Sequence, residues 1–407
     1  MAGLSADESR ALAALDGRGR AMLAQVEAWA AINSGSRNLD GLARMAGELQ
    51  AAFAPLGGDA ALHDPEPASA IDAQGQETPL AHGRNLLITQ RPHAPVQVIL
   101  TGHMDTVFPS DHPFQQVSPL SAGVVGGPGV ADMKGGLSVM LAALQALEAS
   151  PFAEGLGWRV VVNSDEEVSS LGSAPLLWRA AQGAHAGLTY EPSMPDGALA
   201  GGRKGSGNFS AVVRGRAAHA GREPEAGRNA VVAAADLALR LAGLPARRPG
   251  LSVNPAKLDG GGPNNVVPDR AVLRFNVRPT TPADQAWAQA EIEALAAQVS
   301  AAHEVEVALH GGFARPPKPL DDNQLRLFRL VRASGAALGL PIGWRDTGGV
   351  CDGNNIAACG VPVVDTLGVR GGAIHSADEY LLTDSLEERA RLSALVLMRL
   401  AQGALPA

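Results

Sequence analysis

Apolar runs with β character alternate with helical patterns along this chain, give way to a second rhythm, and then resume. That change of rhythm limits the folds open to it more than any other feature. Ala21 to Ile32 and Leu42 to Phe53 repeat apolar residues at spacings of three and four, which predicts helices, and loops rich in Pro, Gly and Asp follow. Asn85 to Thr89, Val96 to Thr101, Trp158 to Asn163 and Gly187 to Tyr190 read as strands, with a helix over Lys134 to Glu148 among them. Strands alternating with helices predict an α/β domain on a mainly parallel sheet.

From about Gly207 the order becomes strand (Asn208 to Val213), helix (Asn229 to Leu244), two strands (Leu251 to Leu258, Ala271 to Val277), helix (Ala283 to Ala301) and strand (Val305 to Leu309). This is the β-α-β-β-α-β, ferredoxin-like α+β unit. After the Pro-rich Arg315 to Leu320 the α/β character returns, with helices at Asn323 to Leu338 and Ser385 to Leu400 and a β-like run at Val361 to Leu367. A chain of 407 residues exceeds the roughly 250–300 that one core supports. We therefore expect one domain inserted into another: residues 1–202 and 313–407 form the first, and 203–312 the second.

The formal charge of -8 argues against nucleic acid or an anionic membrane as the main partner and favours a small molecule. No stretch resembles a bilayer-spanning run of about 20 apolar residues. Met1 to Arg20 does not read as a secretory signal. Two cysteines, Cys351 and Cys359, make neither a disulfide framework nor a zinc finger, so the expected compartment is the cytoplasm.

Four segments place acidic residues or histidines just after apolar strands, where open α/β sheets form ligand sites. They are Thr101-Gly-His-Met-Asp-Thr106, Gly129-Val-Ala-Asp-Met-Lys-Gly-Gly136, Asn163-Ser-Asp-Glu-Glu167 and Tyr190-Glu-Pro192; Gly371-Gly-Ala-Ile-His-Ser376 is a fifth. Carboxylates and imidazoles gathered at strand ends suit a divalent transition metal. Strand alternation directs His103 and Asp105 to one side, so the Asp105 carboxylate can accept the second imidazole N–H and fix the tautomer. Glu166 and Glu167 can point to different sides and divide the roles of base and ligand. Each piece has a plainer reading: a surface histidine, a helix cap at Asp132, solvated charge at the glutamates. Their combination is what carries weight.

In these motifs the chain resembles the zinc metallopeptidases that include glutamate carboxypeptidase, aminoacylase, acetylornithine deacetylase and succinyl-diaminopimelate desuccinylase. The resemblance covers nearly the whole chain and implies two zinc ions, with cobalt or manganese as possible substitutes. Asp132 would bridge them, His103 and Glu191 would complete one site, Glu167 and His375 the other, and Glu166 would be the general base. It further implies a cis peptide at Asp132-Met133 and a lid through which a homodimer forms. In Gly215-Arg-Ala-Ala-His219-Ala-Gly221, the resemblance implies that His219 reaches the scissile carbonyl, usually of the partner subunit; the plainer reading is a loop histidine bonded to backbone. Asn265 and Arg278 are similar to positions that grip substrate, and Arg278 suits a carboxylate; an ion pair at a sheet edge is the alternative. The run Thr347-Gly-Gly-Val-Cys-Asp352-Gly353 offers the N–H groups of Gly348 and Gly349 to a substrate carboxylate, and Cys351 reads as packing.

The family's habit of Glu at position 191 in carboxypeptidases and deacylases, with the contexts Tyr-Glu-Pro and His-Ser-Ala-Asp-Glu-Tyr, implies glutamate carboxypeptidase-like release of an acidic amino acid from a small peptide or N-acyl substrate. A deacetylase or desuccinylase is the alternative. A degenerate binding module would lack a ligand or the base, and none is missing; a serine hydrolase would need a Gly-x-Ser-x-Gly elbow, and none occurs.

Overall fold

Strand Val96–His103 is buried on both faces, and its alternate residues explain the layering. Val98 and Leu100 join Val160, Val162 and Leu137 in the larger core, while Ile99 and Val161 turn to the opposite face with Leu177 and Ile356. In the computed structural model, which describes residues 3–405, these strands belong to a six-stranded sheet. The order is Asp59–His63, Asn85–Gln90, Leu156–Asn163, Val96–His103, Ala186–Thr189, Val363–Val364. The first two neighbour pairs are antiparallel and the other three parallel. The run Val361 to Leu367 contributes only the two residues Val363–Val364 as strand.

Helix Gly136–Glu148 packs between this sheet and helix Ser385–Ala401, which is why it is apolar nearly all round. The stretch Val130–Glu148 has the length and mean hydropathy of a membrane-crossing helix, yet it is interrupted by Asp132 and Lys134 and its most apolar part is 94% buried inside the fold.

Residues 206–315 form a second, four-stranded antiparallel sheet in the order Ser252–Gly260, Arg270–Arg278, Ser206–Arg214, Glu306–Arg315. Helices Ala230–Ala242 and Pro282–His303 cover one face, with Phe209, Ala211, Leu273, Phe275 and Val277 packed against Leu237 and Ile292. The other face carries alternate residues such as Asn208, Ser210, Arg274 and Asn276. Across its far end lies a hairpin, Ala68–Ile71 with Glu77–Leu80, in a region expected to be loop. Ile71 packs on Val212 and Val272, and Arg274 donates to the Ile71 carbonyl at 2.9 Å. The chain enters and leaves this unit at adjacent points, where Arg203 and Lys318 exchange backbone hydrogen bonds of 2.8 and 3.0 Å.

Candidate metal centre

Three neighbouring parallel strands end at the same edge of the sheet, and each delivers a charged group there. Val96–His103 ends in His103, Leu156–Asn163 leads into Glu166 and Glu167, and Ala186–Thr189 into Glu191. An irregular turn, Val130–Gly135, brings Asp132, whose peptide with Met133 is cis, and the loop before Ser376 brings His375. Asp132 stands between two histidines: Oδ1 lies 3.1 Å from His103 Nε2, and Oδ2 lies 3.3 Å from His375 Nε2. Glu191 is 3.8 Å from His103 Nε2, and Glu167 is 3.1 Å from His375 Nε2. Two triads result, His103–Asp132–Glu191 and Asp132–Glu167–His375, each with ligand atoms within 4.8 Å of one another.

The electrostatics say what this cluster would take up. Burial, reinforced by neighbouring carboxylates such as Asp132, pushes Glu167 up to about 7 and raises Glu191 and Glu166. Asp132 and Glu167 draw His375 up to about 11; burial opposes charge on His103, but Glu191, Asp105 and Asp132 hold its pKa well above the usual range. Three carboxylates, Asp132, Glu167 and Glu191, thus share two imidazoles as their nearest cationic partners. Divalent cations in the two triads would replace those protons, and oxygen and imidazole donors of this kind suit zinc, cobalt or manganese.

Asp105 acts differently from the expectation. His103 Nδ1 is 3.0 Å from the Asp105 backbone carbonyl and 3.4 Å from its carboxylate, so the carbonyl is the nearer partner. The carboxylate is engaged elsewhere: it accepts from the backbone N–H of Glu166 (3.1 Å), that of Glu167 (3.2 Å) and the Ser36 hydroxyl (2.7 Å). It ties the imidazole's strand to the loop carrying both glutamates because the two strands end side by side.

Arg278 lines the cleft beside the cluster, a space of about 640 Å³. Its Nε donates to Asn276 Oδ1 (3.0 Å) and its Nη1 to the Gly348 carbonyl (2.9 Å). The glycine run therefore presents the Gly348 carbonyl to Arg278, and the Gly349 N–H, expected to stand free, is directed to Thr347 Oγ1 (3.3 Å). His219 and Asn265 are not brought to this chain's cleft. They are exposed neighbours in loops of the four-stranded unit, where Gly221 donates to His219 Nδ1 (3.1 Å) and Ala220 to the Asn265 carbonyl (2.9 Å). Cys351 is buried.

Three residues of the centre escaped the sequence reading. Arg315, buried at the end of the last strand of the second sheet, pairs with Glu166 Oε1 (2.8 Å) and Asp352 (3.1 Å). Glu379 accepts the backbone N–H groups of Gly129, Ala131 and Asp132 at 2.9–3.2 Å and so cradles the turn that aims Asp132. Arg203 lines the cleft while its Nε is bonded to Asp365 (2.7 Å). Only Glu379 carried a signal, its place four residues after His375.

Known proteins share sequence and fold with this chain. Residues 99–399 match the model of peptidase family M20/M25/M40. The chain is 30% identical over 334 residues to carboxypeptidase G2 of Pseudomonas sp. (strain RS-16), covering 80% of this chain and 79% of that protein. It is 30% identical over 337 residues to succinyl-diaminopimelate desuccinylase of Xanthomonas oryzae pv. oryzae (strain MAFF 311018), covering 78% and 86%. A tripeptidase from Staphylococcus aureus subsp. aureus Mu50 shares the fold, with a TM-score of 0.73, 23% identity, and coverage of 94% and 99%. With three quarters of its length matched by the family model and two such relatives aligned along most of it, this chain is a hydrolase and belongs to the metal-dependent peptidase family M20/M25/M40.

Proposed function

We propose that this hydrolase is a carboxypeptidase that releases a C-terminal acidic amino acid, with two zinc ions as its native metals. The observation that carries the reading is a pair of guanidiniums, Arg203 and Arg278, in the cleft wall beside the carboxylate cluster. Among the described residues, the Nη groups of Arg203 and Nη2 of Arg278 have no hydrogen-bond acceptor, which leaves two planar cations for the two carboxylates of glutamate or aspartate. The 30% identity to carboxypeptidase G2 supports the same reading.

His103, Asp132 and Glu191 would hold one ion, and Asp132, Glu167 and His375 the other. When bound, the pair supplies Lewis acidity at the scissile carbonyl and lowers the pKa of water. Glu166 takes the water's proton on its carboxylate and returns it to the departing amine. Arg315 holds Glu166 in place, and Asp105 fixes the backbone beneath it. Arg278 and Arg203 orient the leaving amino acid.

We read residues 203–312 as a lid and dimerisation domain, with 1–202 and 313–407 as the metal-binding domain. The exposed position of His219 and Asn265 supports a homodimer in which both serve the partner's cleft. The free thiols Cys351 and Cys359 suit the cytoplasm. A desuccinylase-like N-acyl amino acid deacylase is the second reading, favoured by the identity to that enzyme. It would need acidic groups for a basic amine, and the acidic residues lining the cleft are those of the cluster itself, Asp132, Glu166, Glu167 and Glu191.

The test is hydrolysis of N-acyl amino acids and dipeptides by the zinc-loaded enzyme, with Glu166→Ala as control. Release of glutamate or aspartate, lost in the variant, is expected. Turnover confined to acetylated or succinylated basic amino acids would move the enzyme to the deacylase branch.

A further inference from the structure

A second cleft, also of about 640 Å³, adjoins the catalytic one. The two meet at Ser169, Asn208 and Asn276, which line both, and the threshold is a single exposed hydrogen bond from Asn208 Nδ2 to Ser169 Oγ (3.2 Å). Its floor is the open face of the four-stranded sheet. Register sets the floor in rows: Asn276, Asn208 and Gly312 at the threshold, then Arg274, Ser210 and His310. The next row ends the cleft, because there Ile71 of the hairpin packs on Val212 and Val272. Leu80 of the hairpin, with Val168 and Leu171 from the loop that carries Glu166 and Glu167, supplies apolar walls. Leu171 is 39% exposed.

Direction and length follow from the strand. Arg278, Asn276 and Arg274 succeed one another on the same face of Arg270–Arg278, so a substrate anchored at Arg278 lays its acyl part over Asn276 and into this cleft. Four residues separate threshold from end, about 13 Å of strand, which accommodates roughly three or four extended peptide units. An acetyl or succinyl group would stop at the threshold.

Arg274 is paired with Asp259 and bonded to the Ile71 carbonyl, and Glu77, exposed at the rim, accepts the Ser69 hydroxyl. The Ser210 hydroxyl and the His310 ring make no hydrogen bond among the described residues, so their donors and acceptors face the cleft between apolar walls. Gly312 keeps the cleft wide opposite Asn208: a Cβ there would meet no atom within 4 Å.

We propose that this second cleft is an acyl subsite selecting an uncharged, extended, peptide-length acyl group on the amino acid that is released. The inference rests on the carboxypeptidase reading and deepens it. The test compares kcat/KM of the zinc-loaded enzyme for acetyl-glutamate, acetyl-alanyl-glutamate and acetyl-trialanyl-glutamate. We expect a rise of about tenfold or more from the shortest to the longest. In Gly312→Trp, whose ring would fill the open space, the long-to-short ratio should collapse towards one. Leu171→Asp, at an exposed position that does not threaten folding, should lower the ratio severalfold and carries the test if the tryptophan variant does not fold. Affinity of Glu166→Ala protein for the same peptides, measured by calorimetry, should follow the same order. Release of glutamate at equal efficiency along the series overturns the subsite and leaves the carboxypeptidase reading standing. Failure of all three peptides alongside turnover of acylated basic amino acids overturns that reading, and the subsite with it.

Discussion

The two donor triads share Asp132 and differ in how the fold holds them. In the inner triad, His103 is the last residue of a central strand, its side chain is 1% exposed, and its second nitrogen faces the backbone carbonyl of Asp105, two residues on. In the outer triad, His375 sits on a loop, its side chain is 55% exposed, and both it and Ala373 adopt left-handed backbone conformations (φ of 63° and 53°) that cost a non-glycine residue about 1–2 kcal/mol each. One half of the centre is a by-product of forming the sheet. The other is assembled by a loop that the surrounding contacts must hold. Burial and backbone regularity, more than ligand identity, should therefore decide which half is lost first.

The largest effect should come from Asp132→Asn, which weakens both halves at once. We expect bound metal, read by elemental analysis, to fall below one equivalent and kcat to drop about 10³-fold or more; retention of one full equivalent would mean that one triad stands without the shared carboxylate. Arg315→Ala should leave Glu166 and Asp352 as buried charges without their partner and cost about 3–5 kcal/mol in urea denaturation. A loss no greater than that of a surface arginine would show that Glu166 and Asp352 do not depend on it. Next, His375→Ala should give up about one equivalent of metal with little change in melting temperature, while His103→Ala should lose metal and destabilise the fold by about 1–3 kcal/mol. Equal behaviour of the two variants would mean that the two halves are held alike.

The smallest effect concerns His82, buried beside the same glutamate loop with Nδ1 3.4 Å from Asp165. Burial, helped by Arg37, lowers its pKa below the usual 6.5. The folded state then binds fewer protons than the unfolded chain, so this contribution is present above about pH 6.5 and is lost as pH falls below it. The slope should stay under about 1.4 kcal/mol per pH unit, and His82→Asn should flatten it.

Of the five residues that the two triads bring together, Asp132 and His375, on a turn and a loop, were legible through the family resemblance, whereas His103, Glu167 and Glu191 were legible because each follows a strand whose apolar pattern marks where the chain emerges from the sheet. The mostly parallel α/β sheet was legible for the same reason. What escaped was set by neighbours remote in sequence. Arg315 lies in a Pro-rich stretch that reads as punctuation, and its partner Glu166 is 149 residues away. Arg203 stands at the same kind of junction. The Ala68–Leu80 hairpin has few apolar residues, because it caps one end of a polar sheet face and buries little beyond Ile71. The Asp105 carboxylate was assigned to the imidazole by strand alternation alone, which cannot weigh two backbone N–H groups arriving from the next strand.

The meeting of Arg203 and Lys318 also bears on the order in which the chain comes together. Joining these two positions closes a loop of roughly 110 residues, an entropic cost of about 4 kcal/mol for a flexible chain. That cost shrinks if the intervening segment has already condensed, since its first and last strands pair with each other and bring the two ends side by side. The four-stranded unit is thus expected to act during folding as the clasp that brings the separated halves of the larger sheet within reach, before any substrate meets the finished cleft.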